Sequence, residues 1–71
     1  MMDNITIEWM QMTEDGKVSL GNWQPIRSNV MNNPQYINIA MNECRRMFSG
    51  NVRIRAVDSN GRLVDMLMNC G

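Results

Sequence analysis

Six of the seven cationic side chains are arginine, and four of these, Arg45, Arg46, Arg53 and Arg55, fall close together in the chain. A guanidinium presents its donors in a rigid planar fork that matches carboxylate and phosphate, so such a run is a candidate contact for a phosphate ligand or nucleic acid. The charges are unevenly divided. Residues 1–35 hold Asp3, Glu8, Glu14 and Asp15 against Lys17 and Arg27, a balance of −2, while residues 36–71 hold five arginines against Glu43, Asp58 and Asp65, a balance of +2. The sum is zero, which counts against nonspecific attraction to DNA.

Catalytic and metal chemistry have little to draw on. The chain has no histidine, so a general base would have to be a buried carboxylate, cysteine or lysine. Glu8 and Asp65 read instead as solvated or cross-strand-paired residues of a sheet. Cys44 falls on the apolar side of a helix, where a thiol behaves as a small inert hydrophobe. Cys44 and Cys70 stand alone as metal ligands, Asp15 and Asp58 belong to turns, and no glycine-rich phosphate loop occurs. No enzyme, metal or cofactor is expected. Two cysteines do not make the disulfide framework of a small secreted domain, and neither a signal segment nor a membrane span is present, so the reading is a cytoplasmic protein without a membrane partner.

The elements that position these side chains follow from periodicity. Residues 4 to 13 put Ile5, Ile7 and Trp9 on one parity and Thr6, Glu8, Met10 and Met12 on the other, the pattern of a strand. Glu14-Asp15-Gly16 supplies turn chemistry, and Lys17 to Leu20 would return as a second short strand. Gly21 to Asn33, with Pro25 and several asparagines, reads as a loop whose anchors into the core are Trp23 and Ile26. Asn33 and Pro34 are a helix start, and Ile37, Ala40, Met41, Cys44, Met47 and Phe48 recur at helical spacing. This predicts a helix over about 34–49, with Arg45 and Arg46 suiting the dipole at its end and Gly50 stopping it in a left-handed conformation.

The last third is a hairpin. Ser59-Asn60-Gly61 suits a three-residue loop flanked by Asp58 and Arg62, and that register sets Ala56 opposite Val64, Ile54 opposite Met66 and Val52 opposite Met68. The other face then carries Arg53, Arg55, Val57, Leu63, Asp65 and Leu67, with Arg55 across from Asp65 as an ion pair. The fold class is α+β, one domain over residues 1–71: an N-terminal and a C-terminal hairpin form a small antiparallel sheet packed by one helix.

One helix covers one face of a sheet, and both faces are apolar. A chain of 71 residues buries only about 60% of its unfolded surface, so little stability is in reserve. A homodimer or a heterologous partner is therefore expected to dock on Val57, Leu63 and Leu67, rimmed by Arg53, Arg55, Arg45 and Arg46; the competing expectation is that the 21–33 loop folds over that face.

The run from the capped helix through Gly50, Val52-Arg53-Ile54-Arg55-Ala56-Val57-Asp58, Ser59-Asn60-Gly61-Arg62 and a closing strand resembles small phage-encoded proteins of strand, helix and hairpin build, some anti-CRISPR inhibitors among them. The resemblance spans about residues 34–68 and is one of shape. It implies a noncatalytic host-takeover or defence-inhibiting role, exerted by blocking a surface in the host cytoplasm. No functional residue is carried over from it.

Overall fold

The computed structural model describes residues 4–68, and among them the chain forms four strands and one helix: β1 Asn4–Gln11, β2 Gln24–Met31, α1 Pro34–Arg45, β3 Val52–Val57 and β4 Leu63–Met68. The strands make one antiparallel sheet in the order β2-β1-β3-β4, with α1 across one face. This is the small α+β fold expected from the periodicities. Cys70 lies outside the described residues, and with it any pairing to Cys44.

β1 and β3 are the interior strands, and the alternation of each sends one set of side chains toward the helix. Ile5 and Ile7 are fully buried on the helix side, and they join Val30, Ile37, Ala40, Met41, Cys44, Val52, Ile54 and Ala56 in one core. Fully burying each of its isoleucine, valine and methionine side chains contributes about 1.5–3 kcal/mol. Trp9 and Phe48 close one end of this core as a stacked pair, their ring centroids 4.4 Å apart.

α1 begins as its first residues require. Asn33 is extended and its side chain accepts from the Gln35 backbone N–H at 2.9 Å, while Pro34 occupies the position where an N–H would be unused. The helix is shorter than 34–49. It ends at Arg45, and the chain tightens through Met47 N–H to Cys44 O and Phe48 N–H to Arg45 O, at 3.1 and 3.2 Å. Leaving the helix there carries Phe48 across to Trp9. Gly50 does not terminate α1; the described glycines with positive φ are Gly16 and Gly61.

The second strand lies later than its expected place. Lys17 to Leu20 stay beside β1 through Thr13 N–H to Val18 O and Leu20 N–H to Gln11 O, but they form a single bridge, Met12 to Ser19, and no strand. The segment 24–31, expected as loop, is the strand that pairs with β1. Two breaks of register, between Ile5 and Ile7 and between Ile7 and Glu8, and Asn29 at φ 60 erase its alternation. Pro25 is tolerated because β2 is an edge strand.

The C-terminal turn forms as expected. Asp58 N–H donates to Arg62 O and Gly61 N–H to Asp58 O, both at 3.0 Å, with Gly61 at φ 80. The Asp58 carboxylate also accepts from the Asn60 and Arg62 backbone N–H groups at 2.9 Å. Beyond the turn the register slips. Val57 faces Leu63 as expected, but Ala56 faces Asp65, Arg55 faces Met66 and Ile54 faces Leu67, because Val64 is bulged out of the ladder. A one-residue slip exchanges the faces of everything after it. Leu67 therefore packs against the core on the helix side, and Met66 takes its place on the far face.

Candidate docking face

The face of the sheet turned away from α1 collects most of the residues to which the sequence assigns an interaction. Along β3 the alternation that buries Ile54 and Ala56 under the helix sends Arg53, Arg55 and Val57 to this face. β1 contributes Thr6, Glu8 and Met10 opposite them, and β4 contributes Leu63 and Met66.

Arg55 is held in place from two sides. Its Nε donates to Glu8 Oε1 at 2.7 Å, with the two side chains 29% and 19% exposed, and its guanidinium carbon lies 4.2 Å from the centre of the Trp23 ring. The expected pair of Arg55 with Asp65 is replaced by this one, since β1 adjoins β3 and the bulge removes Asp65 from the register. Trp23 also departs from its expected place. It does not anchor in the core but stacks on Arg55 from outside, while Ile26 does pack against the core.

That placement answers in part what covers the face. Met10, Met12 and Val57 are buried yet stand apart from the helix-side core, and Trp23 shields the Glu8–Arg55 pair. The rest of the 21–33 segment runs in the sheet as β2 and does not fold over it. Toward β4 the face is open: Leu63 is 57% exposed and Met66 40%.

Arg53 differs from Arg55 at the same nitrogen. Its Nε is buried and meets no acceptor among the described residues, and a buried donor left in that state costs about 1–3 kcal/mol. Arg45 and Arg46 lie at the end of α1, on the other side of the sheet from Arg53 and Arg55. The four arginines therefore do not converge.

Asp65 serves the edge of the sheet. β4 is a terminal strand, and the Asp65 carboxylate accepts from the Met66 backbone N–H at 2.8 Å. An N–H occupied in this way is withheld from an incoming strand.

Other concavities are spent internally. An open groove of about 660 Å³ runs between the 13–16 turn and Ser49, Gly50 and Asn51. Part of its polar lining is paired internally: the Asn51 amide donates to Thr13 O and Glu14 O, and Asp15 accepts from Thr13 Oγ1 and the Lys17 N–H. Among the described residues no three of Asp, Glu or Cys converge as metal ligands. Cys44 is buried in the core, and burial pushes its thiol pKa up. Among the described residues no helix is long and apolar enough to cross a membrane.

No family model, curated protein or solved structure matches the chain.

Proposed function

We propose that the chain is a noncatalytic interaction module that acts by occupying a partner's surface with the sheet face opposite α1. The observation that carries this is the exposure of Leu63 and Met66 on the face that also holds Arg53, a face otherwise closed by Trp23 and by buried Met10 and Val57. Exposed apolar residues on a face that also carries a guanidinium, whose Nε has no acceptor among the described residues, make a surface that is apolar at its centre and polar at its rim. The action is that of a phage-encoded inhibitor, which blocks a host or defence protein and performs no reaction. The alternative, a nucleic-acid or phosphate binder using Arg45, Arg46, Arg53 and Arg55 together, has less support because Arg55 is already engaged by Glu8 and Trp23.

A photoreactive amino acid at position 63 tests the reading in the cells that express the chain. Position 63 is expected to form an adduct with one discrete protein, and position 39, exposed on the outer side of α1, is expected to form none. Met66→Lys should abolish the adduct, and rising salt should weaken it little. Equal labelling from both positions, or a nucleic-acid adduct from position 63, overturns the proposal.

A further inference from the structure

We infer that the docking face takes an acidic protein segment, one that brings an Asp or Glu side chain to Arg53 and aliphatic side chains to Met66 and Leu63, in preference to a second copy of this chain. The inference rests on the reading of this face as a docking surface.

The charges on the face decide between the two occupants. Among the described strand residues that point to it, Glu8 is the carboxylate, and both its geometry and its charge are committed to Arg55 at 2.7 Å. Arg53 lies two residues earlier on β3, diagonal to Met66 and across from Met10. Its Nε is buried without an acceptor among the described residues. From Arg53 to Val57, the partner of Leu63, the strand runs about 13 Å. The patch is thus a cation at one end, Leu63 at the other and Met66 between them.

A second copy cannot complete this pattern face to face. The carboxylate that a symmetric contact would need is Asp65, and the bulge at Val64 has moved it opposite Ala56, where it caps the Met66 N–H. In a two-fold contact centred on Met66, Arg53 of each copy would meet the Leu63 end of the other and find no carboxylate in a desolvated interface, which disfavours the pairing. An Asp or Glu flanked by aliphatic residues would instead give Arg53 a charge-assisted hydrogen bond and cover Met66 and Leu63 in the same stroke.

The test uses the full chain, isotopically labelled, and four probes: acetyl-Glu-Leu-Val-Leu-amide, the same peptide with Gln for Glu, inorganic phosphate and a short DNA duplex. The readouts are the Arg53 Nε–Hε resonance and the Leu63 and Met66 backbone amides. The Glu peptide is expected to shift all three and to bind about tenfold tighter than its Gln counterpart, the usual margin of a charged over a neutral hydrogen bond. Arg53→Gln should erase that margin, and Arg53→Lys should restore part of it. Shifts at Leu63 and Met66 that are equal for both peptides, with Arg53 silent, overturn the acidic assignment and leave the docking face standing. Silence at Leu63 and Met66 with every probe overturns the face itself. A stronger Arg53 response to phosphate or the duplex than to the Glu peptide overturns the choice of a protein partner. Light scattering that shows a doubling of mass with concentration, lost in Met66→Lys, makes a second copy the occupant and overturns it as well.

Discussion

Glu8 and Arg55 face each other across the β1–β3 ladder with Oε1 2.7 Å from Nε, and this pair is the electrostatic fixture around which the far side of the sheet is arranged. It is half-buried, and Trp23 roofs it. Removing one partner leaves the other charge poorly solvated. Glu8→Ala should therefore destabilise the chain by about 1–3 kcal/mol in urea unfolding, more than an exposed ion pair such as Arg27–Glu43 would cost. The double variant with Arg55→Met should recover part of the loss. A Glu8→Ala variant as stable as the parent removes the pair from the account.

The bulge at Val64 is testable by charge. Leu67→Lys should unfold the protein, as Ile54→Asp should, because both put a charge between helix and sheet; Leu63→Lys and Arg62→Ala should shift the melting temperature little. Under the straight register Leu63 and Leu67 would have behaved alike. Equal melts of Leu67→Lys and Leu63→Lys would restore that register.

Cys44 is 1% exposed in the core, and burial raises its thiol pKa, an effect that Arg27 opposes and Glu43 reinforces. Both properties suppress the thiolate. Under native conditions at neutral pH, labelling of Cys44 by a small thiol reagent, read by peptide mass, should proceed only at the rate of unfolding and accelerate sharply in urea. Prompt native labelling of Cys44 would place it outside the core.

Asp15 carries the acid-sensitive part of the first turn. The Thr13 hydroxyl and then the Lys17 N–H lower its pKa below the ordinary value. Since the folded value lies below the unfolded one, the unfolded state takes up the proton first, and the contribution is present in full above about pH 4–5 and lost as pH falls through the folded value. Asp15→Ala should lower stability at neutral pH and flatten the acid limb of the stability profile below about pH 4. An unchanged acid limb would detach Asp15 from acid unfolding.

Much of this architecture was legible where one residue dictates one local geometry. Asn33-Pro34 starts α1, Asp58 to Arg62 closes the hairpin through Gly61, and the parity of Ile5 and Ile7 marks the central strand. What escaped depends on irregularity or on distance. β2 was hidden because Asn29 and two register breaks destroy a period of two, and no local signal marks a strand whose side chains do not alternate. Val64 gives no more warning of its bulge than any other valine in a strand, so Leu67, Met66 and Asp65 were exchanged between faces. Of the assigned interaction residues, Arg53, Arg55, Val57 and Leu63 do share a face; Met66 belongs with them, and the partnering of Arg55 with Glu8 and Trp23 required the tertiary pairing of β1 with β3.

The extra residue at Val64 also sets how this surface can change over generations. Codon-by-codon drift at positions 63 and 66 alters what the far face displays and leaves the interior untouched. Loss of the Val64 codon would leave both faces as they are. The ladder would close up, the residues now numbered 65 to 67 would each keep the face of their present partners on β3, and only the spare residue of β4, opposite the step from Ala56 to Val57, would vanish. The chain therefore holds a spacer that can be removed without reversing inside and outside, whereas adding one residue further along β4 would turn its aliphatic side outward.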